Sequence, residues 1–397
     1  MSNLYPTVFV HGFLGWGVDD GIDDKAHYWG ATYDVMEYLR EVGYEVYAPS
    51  LGPFGSAWDR ACDLYARLFG GRVDYGKVHS EKYGHKRYGR TYPGLIPDLG
   101  EPGVHAKLNL VGHSFGAPAA RVFADLLATG SEEERQGTPA EELSPLFEGG
   151  HGNLVHTLTT LSGVNNGSTF NTLYTVPGNR IAAALVLWWI TVLGDTRLSE
   201  TYDEHMDQWG LMHNPIDVKV QHPRVPFLQW IHILRFVRND LDNVSSELGP
   251  VTMKKINDQI TTQPNTYYFA RRGCRTRKGL FGQVPTTRMS IFCRYAGFLM
   301  GHFRPRRLKP YGFDETWLAN DGYVNVPGLS APFGAPTVEC DSLFEGDFQP
   351  GRWHNMPVEE KDHLSWNGVG ITDPNNYYEY YRRMLHLFSQ LPDGDGY

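Results

Sequence analysis

Short apolar strands alternate with segments of helical spacing through the first 160 residues. The strands, rich in β-branched and aromatic residues, are predicted at 7–10, 44–48, 107–111 and 154–161. Helical spacing covers about 33–42, 56–69 and 117–127. Strands that alternate with helices in this way form parallel sheets with helices on both faces. The sequence therefore predicts an α/β fold with a mainly parallel central sheet.

Between about 168 and 262 the sequence predicts helical and loop segments instead of strands, and the next strand is predicted at 266–269. A closing helix is predicted from 377 to 391. The interrupted stretch is the natural place for a cap over a site, within one domain that spans 1–397. Its most apolar part, 181–193, is too short to cross a bilayer, so no transmembrane segment is expected. It is predicted either as a buried core helix or as a lid that docks on a lipid interface.

Composition changes this picture little. Apolar residues make up 41% and charged residues 20% of the 397, which is typical of soluble globular proteins. A net charge of −9 without a continuous basic run argues against a nucleic-acid partner. The four cysteines (Cys62, Cys274, Cys293 and Cys340) form no C-x-x-C pair, so no cysteine metal site is indicated and the disulfide state stays open. The N-terminus has no signal-peptide pattern, so we expect a chain made without one or one that begins at its mature start.

A candidate nucleophile follows the strand at 107–111. Gly112-His113-Ser114-Phe115-Gly116 is a G-x-S-x-G motif between a predicted strand and a predicted helix. In that context the motif forms a nucleophile elbow, in which a strained turn exposes the serine hydroxyl. The two glycines suit the crowded backbone around Ser114, because a Cβ at either position would meet its neighbours. Ser114 is thus the predicted nucleophile.

A serine nucleophile needs a histidine base and a carboxylate that orients it, and in elbow enzymes both follow the serine along the chain. The late histidines are His354, His363 and His386, of which His386 falls in the closing helix, where packing is expected. His363 precedes a glycine-containing loop and is the predicted base. Asp321, in Asn-Asp-Gly, is the leading acid, although that tripeptide also forms simple Asx turns. The alternative acids are Asp314, Asp341 and Asp347.

An oxyanion hole requires two backbone N–H groups, one after the nucleophile and one from an early loop. Phe115 supplies the first. The loop His11-Gly12-Phe13-Leu14-Gly15, which follows the first strand, supplies the second from Phe13. The alternative is that this loop is an ordinary turn that ends a strand.

A second cluster lies away from these residues. Asp59, His79 and His85 are close in sequence, and two histidines with a carboxylate suit a tetrahedral zinc site that lacks its fourth ligand. The H-x5-H spacing alone is weak evidence. Asp59 also stands three residues after Ser56, where it could merely support the first turn of a helix.

Several longer motifs reveal a family resemblance. They are His11–Gly17, Trp58–Cys62, Val73–Gly76, Gly89–Leu95, Ser144–His151, Asp207–Leu211 and Asn320–Gly322. On these the chain resembles the zinc-containing thermoalkalophilic lipases of the Geobacillus type and their staphylococcal relatives. The resemblance implies an α/β-hydrolase fold, a secreted protein, a zinc-binding insertion at about 55–95 and a moving lid at about 170–200.

The resemblance also implies specific site residues. Ser114, Asp321 and His363 match the catalytic triad, and Asp59, His79, His85 and Asp207 match the ligands of a structural zinc ion. The calcium pattern of the family is not met, because Ser365 stands where the family has a Glu and Asp373-Pro374 comes after a longer loop. The resemblance therefore gives no support for a calcium site.

The expected function is hydrolysis of carboxylic esters, most specifically of triacylglycerols at a lipid interface contacted by the lid. A carboxylesterase or phospholipase on the same fold is the nearest alternative. A hydrolase that uses its metal for the chemistry and a non-catalytic lipid-binding relative are the other hypotheses. A site with four protein ligands argues against metal chemistry, since it leaves no open position for water.

Overall fold

The computed structural model describes residues 3–174, 202–203, 205–210, 231, 233–234, 236, 242–304 and 306–393. Most of the predicted cap, including the apolar segment 181–193, lies outside the described residues. Within them no helix is long and apolar enough to cross a membrane.

Eleven strands are present in the described part of the chain. They are β1 (Thr7–Val10), β2 (Val46–Tyr47), β3 (Gly71–Asp74), β4 (Tyr88–Tyr92), β5 (Leu108–His113), β6 (Val155–Leu161), β7 (Tyr267–Arg271), β8 (Thr276–Lys278), β9 (Gln283–Pro285), β10 (Thr337–Glu339) and β11 (Trp353–Asn355). Seven of them form one sheet in the order β10-β11-β7-β6-β5-β1-β2, and each of its pairings is parallel. The predicted α/β fold with a mainly parallel sheet is confirmed.

Twelve α-helices of the described residues accompany the strands, besides several short 3-10 helices. They are α1 (Val35–Glu41), α2 (Ala57–Phe69), α3 (Lys77–Tyr83), α4 (Gly116–Thr129), α5 (Glu132–Gly137), α6 (Pro145–Glu148), α7 (Thr169–Tyr174), α8 (Val244–Glu247), α9 (Pro250–Gln259), α10 (Ile291–His302), α11 (Val326–Leu329) and α12 (Pro374–Gln390). The predicted closing helix corresponds to α12.

The central strands β1, β5, β6 and β7 are buried along their whole length, so helices cover both faces of the sheet. In β1, Val8 and Val10 pack in one apolar cluster together with α2 and α4. Phe9, between them, points into a second cluster built with α1 and α12. Alternate residues of one strand therefore hold helices on opposite faces of the sheet.

Three pairs of strands, β3–β4, β8–β9 and β10–β11, were not predicted from the sequence. The edge strand β10 and its neighbour β11 lie in the last third of the chain, which is predicted as loop-rich because each of these strands has only three residues. Between β2 and β5, the antiparallel pair β3 and β4 forms a separate small sheet beside α2 and α3. The segment between β2 and β5, which includes α2 and α3, carries three of the predicted metal ligands, Asp59, His79 and His85.

Candidate active site and metal cluster

The candidate nucleophile lies at the turn between β5 and α4. Ser114 has a φ of 54°, in the left-handed region that residues with a side chain rarely adopt. A Cβ at Gly112 would lie 2.7 Å from Cα of Ala117, and one at Gly116 would lie 2.1 Å from the Val10 carbonyl oxygen. Only glycine fits at either position, so the motif forms the strained elbow that the sequence predicts.

Two loops from the end of the chain bring a histidine and an aspartate to this serine. His363 Nε2 lies 2.8 Å from Ser114 Oγ, and His363 Nδ1 lies 2.8 Å from Asp321 Oδ2. Asp321 Oδ1 accepts hydrogen bonds from the amides of Tyr323 and Val324. With Nδ1–H donated to the carboxylate, Nε2 is left to accept the serine proton.

The alternative acids and bases lie elsewhere. His354 is in β11, where Nδ1 donates to the Tyr268 carbonyl oxygen. His386 is on α12 as expected, but its side chain is exposed rather than packed. The carboxylates of Asp314, Asp341 and Asp347 are all exposed.

The loop after β1 lies directly against the nucleophile, since a Cβ at Gly12 would come within 2.7 Å of Ser114 Cβ. In the described structure the amides of Phe13 and Phe115 donate to no protein acceptor. Phe115 is the residue that precedes the first turn of α4, where backbone N–H groups favour negative charge. Both amides are therefore available to a bound group.

A buried network that sequence reasoning missed joins this loop to the base. The Gly12 amide donates to the Tyr28 hydroxyl (2.7 Å), which donates to His113 Nδ1 (2.7 Å). His113 Nε2 then donates to the His363 carbonyl oxygen (3.0 Å). Burial lowers the pKa of His113 well below its usual value, and burial raises the pKa of Tyr28 to about 12. Both groups are thus neutral, as this direction of donation requires.

Arg60 fixes the same loop from the opposite side. It is fully buried in α2 and donates to the carbonyl oxygens of His11, Gly12 and Gly52. Burial lowers the pKa of its guanidinium to about 10, so the group stays charged at neutral pH. Three carbonyl dipoles, rather than a carboxylate, compensate the charge and hold the loop in place.

A second polar cluster lies next to Arg60. Its members Asp59, His79, His85 and Asp242 present ligand atoms that all lie within 4.8 Å of one another. The Nε2 of His79 is 3.3 Å from Asp59 Oδ1 and 3.2 Å from Asp242 Oδ1. The Nε2 of His85 is 3.3 Å from Asp242 Oδ2. Two imidazoles and two carboxylates from three separate segments thus converge on one point.

The cluster is left incomplete by protein groups alone. Asp59 Oδ1, His79 Nε2, His85 Nε2 and Asp242 Oδ2 are buried without a hydrogen-bond partner among the described residues. Buried polar atoms are normally paired, so four such atoms facing one point form a candidate cation site. The Nδ1 of His85 donates to the Lys86 carbonyl oxygen, which leaves Nε2 as the metal-binding nitrogen.

The structure does not place Asp207, the predicted fourth ligand, in this cluster. Its carboxylate is paired with Arg90, which also binds Asp203. The neighbouring residues do reach the cluster, since Gln208 donates to Asp59 Oδ2 (2.9 Å) and Trp209 packs on His85. The short helix Asp207–Trp209 therefore points its aspartate away from the cluster, and Asp242 fills the fourth position.

Comparison with known proteins agrees with this architecture. The sequence pattern of the family described as "Lipase-like, C-terminal domain" matches residues 3–390. Lipase 2 of Staphylococcus aureus (strain MRSA252) is 34% identical over 376 residues, 94% of this chain and 51% of the relative. The chain thus spans about half the length of the curated relatives it matches.

Solved structures extend the similarity. EstA from Clostridium botulinum is 33% identical, with a TM-score of 0.81 over 98% of this chain and 88% of that one. The lipase of Staphylococcus hyicus is 29% identical, with a TM-score of 0.80 over 97% and 96% of the two chains. The predicted resemblance to staphylococcal lipases is confirmed. The chain belongs to the lipase-like C-terminal domain family.

Proposed function

We propose that the chain is a serine ester hydrolase, and specifically a triacylglycerol lipase. The observation that carries the proposal is the hydrogen-bonded series Ser114–His363–Asp321 at a strained strand-to-helix turn. The family membership supports it, since the similar proteins named above include lipases from two staphylococci.

In the proposed mechanism His363 Nε2 takes the proton of Ser114 Oγ as that oxygen attacks the ester carbonyl carbon. Asp321 holds the ring by its hydrogen bond to Nδ1–H and stabilises the imidazolium that forms. The imidazolium then gives its proton to the leaving alcohol oxygen, and an acyl-enzyme results. Water, deprotonated by the same nitrogen, attacks the acyl carbon and restores the serine.

The negative charge on the tetrahedral carbonyl oxygen requires donors that are already in position. We assign this role to the amides of Phe13 and Phe115, which have no protein acceptor in the described structure. Tyr28 and Arg60 are positioning residues for the loop that carries the first donor. Loss of one such donor typically slows catalysis by about 10²–10³-fold.

We assign a structural zinc ion to Asp59, His79 and His85, which belong to an insertion at about 55–95, together with Asp242 from outside that insertion. Tetrahedral zinc bonds of about 2.0–2.1 Å place neighbouring ligand atoms roughly 3.3 Å apart. The shorter histidine–aspartate separations here, 3.2 and 3.3 Å, fit that spacing. Bound there, zinc supplies stability to the insertion. With four protein ligands such an ion would have no open position for water, so the chemistry would be left to the serine.

A series of substrates tests the proposal. We expect the wild-type chain to hydrolyse p-nitrophenyl esters from acetyl to palmitoyl and to act faster on emulsified long-chain triglyceride than on dissolved ester. A carboxylesterase would be saturated by dissolved short esters and inactive on the emulsion, and a phospholipase would favour phospholipid vesicles. Activity that is unchanged in Ser114→Ala would contradict the whole proposal.

Two further expectations stay predictions. Secretion and transient contact of a lid with the lipid interface rest on the family resemblance. The segments that would form the lid lie outside the described residues.

A further inference from the structure

The charge of the chain is very unevenly distributed. Residues 259–313 contain eleven lysines and arginines and no aspartate or glutamate. The whole chain carries −9, so the rest of it carries −20. A whole-chain net charge conceals this separation. A single basic region on an otherwise acidic protein directs that region toward anionic partners.

The same stretch exposes an unusual amount of apolar surface. On α10, Ile291, Phe292 and Tyr295 are between 69% and 75% exposed, whereas the opposite face is buried. At the tip of the β8–β9 hairpin, Leu280 and Phe281 are 95% and 80% exposed. Surface helices normally present polar residues to water, so large apolar side chains on the outer face indicate an interaction surface.

The hairpin and the helix form one surface, which we call the basic–aromatic face (residues 276–304). Gly282 and Gly301 allow the two elements to meet, because a Cβ at Gly282 would lie 2.3 Å from the Gly301 carbonyl oxygen. Arg304 closes the end by donating to the Phe281 carbonyl oxygen (3.0 Å). The exposed apolar side chains of both elements are thus held on a rigid support.

Basic side chains surround this apolar surface. Arg277, Lys278, Arg288, Arg294 and Arg304 are exposed. Among the described residues, the only carboxylate that pairs with any of these five is Glu360, 3.8 Å from Arg288. Arg294 and Arg304 also donate to backbone carbonyl oxygens, which do not neutralise their charge. Aromatic and aliphatic groups interspersed with cations that largely lack acidic partners match a lipid surface, where acyl chains lie beneath anionic headgroups.

The face is connected directly to the catalytic loops. At the start of α10 the Ser290 amide donates to Asp362 Oδ2 (2.7 Å), next to the base His363. The Tyr323 hydroxyl donates to the Phe292 carbonyl oxygen, and the Tyr323 ring packs edge-on against His363. A lipid surface bound at α10 would therefore lie close to the catalytic loops that carry His363.

We propose that the basic–aromatic face docks the protein on lipid surfaces that carry anionic headgroups. Leu280, Phe281 and the outer residues of α10 enter the acyl region, while the surrounding arginines and lysines bind the headgroups. This surface is formed by residues 276–304 and so does not depend on a lid. It adds a preference for anionic interfaces to the proposed hydrolysis.

Vesicle binding tests the proposal without relying on catalysis. Full-length Ser114→Ala protein is mixed with vesicles of phosphatidylcholine, with or without phosphatidylglycerol, and the bound fraction is measured by sedimentation. We expect much stronger partitioning into the anionic vesicles. We also expect a large loss when the salt concentration rises from about 0.1 M to about 1 M, since the Debye length falls from about 10 Å to about 3 Å.

Paired variants separate the two contributions. Arg277→Gln with Lys278→Gln should lower the partition coefficient on anionic vesicles roughly 25-fold, at about fivefold for each charge. Leu280→Ser with Phe281→Ser should lower it at least about tenfold through lost apolar burial. The matched controls Lys25→Gln with Lys255→Gln, and Val104→Ser, alter exposed residues outside the face and should bind like the parent. Thermal unfolding confirms that each variant is folded.

Several outcomes would overturn the proposal. Equal binding to neutral and anionic vesicles, or equal losses in the control variants, would remove the role of this face. A chain that binds no vesicles but forms dimers that Leu280→Ser with Phe281→Ser dissociates would identify a second copy as the occupant. Because binding is measured without hydrolysis, failure here is distinct from failure of the proposed ester hydrolysis.

Discussion

The catalytic site and the metal cluster, two polar constellations in one fold, differ in how far the protein completes them. Around Ser114 and His363 each reacting atom has a hydrogen-bond partner supplied by the chain. In the metal cluster four buried atoms have none among the described residues. One site is therefore assembled by folding alone, and the other requires a cation for its ligand atoms to be satisfied.

The two sites are nevertheless joined through α2. Asp59 is a proposed metal ligand, and the next residue, Arg60, binds the carbonyl oxygens of the loop beside the nucleophile. The comparison thus predicts that changes at the catalytic site abolish chemistry and leave the fold intact. Changes at the metal cluster should act first on stability and only then, through Arg60, on rate.

The largest effect is expected from Ser114→Ala. It removes the nucleophile but keeps the elbow, so kcat on a soluble ester should fall by about 10⁴–10⁶-fold. The midpoint of thermal unfolding should stay within a few degrees of the wild-type value. A large loss of stability with residual activity would reverse the distinction between the two sites.

The second effect concerns the cation. Asp242→Asn removes a ligand, so we expect loss of the bound metal and a fall in unfolding free energy of several kcal/mol. Asp207→Asn is the matched control, because Asp207 pairs with Arg90 instead. Metal content by atomic absorption and thermal unfolding measure both variants. Metal retained in Asp242→Asn and lost in Asp207→Asn would restore the ligand set implied by the family resemblance.

A smaller effect is expected from the buried network of the catalytic site. Tyr28→Phe leaves the Gly12 amide and His113 Nδ1 without their partner, which costs about 1–3 kcal/mol. Part of that cost should appear as a roughly tenfold lower kcat with little change in KM, because the loop with the Phe13 amide is less well fixed.

Tyr268→Phe provides the control for Tyr28→Phe. The buried Tyr268 hydroxyl also accepts a backbone N–H, from Gln263, but far from the nucleophile. The Tyr268→Phe variant should be less stable than the wild type and should keep the wild-type kcat. Equal kcat losses in the two variants would mean that Tyr28 acts on stability alone.

The smallest effect is a dependence of stability on pH. Burial lowers the pKa of His113 well below its unfolded value near 6.5, so below that pH the unfolded chain binds one more proton at this site. Stability contributed by neutral His113 is therefore present above about pH 6.5 and is lost as the pH falls, at up to about 1.4 kcal/mol per pH unit.

Urea unfolding between pH 7 and pH 5 measures this loss. Burial also lowers the pKa values of His11, to about 3, and His156, to about 4, so the wild-type slope combines several histidines. His113→Asn should reduce that slope by about one proton. An unchanged slope would show that His113 is not held neutral in the folded protein.

The sequence predicts the catalytic site better than the metal cluster for a physical reason. The elbow is encoded locally, because strand, glycines and serine are contiguous, and Asp321 and His363 each lie in a recognisable loop. Three of the proposed metal ligands, Asp59, His79 and His85, also lie in one segment, between β2 and β5. The fourth does not, and the Asp-Gln-Trp stretch reaches the cluster through Gln208 and Trp209 while Asp207 turns to Arg90.

Some features could not be read from local patterns at all. No motif marks Asp242, whose position depends on how the chain returns from the cap region. The network of Gly12, Tyr28 and His113 forms because the loop after β1 lies beside the end of β5. Only the folded chain shows that β1 and β5 are neighbours in the sheet. The edge strand β10 and its neighbour β11 are too short for an alternation of polar and apolar residues to be visible.

One measurement tests the central claim most directly. The protein is treated with a p-nitrophenyl alkylphosphonate, with and without brief prior chelation at low temperature, and the adduct is located by peptide mass spectrometry. We predict one adduct per chain on Ser114 in both samples, with complete loss of esterase activity, and no loss from brief chelation alone. Activity that survives the phosphonate but is abolished by chelation in a chain that stays folded would contradict the account and assign the chemistry to the metal.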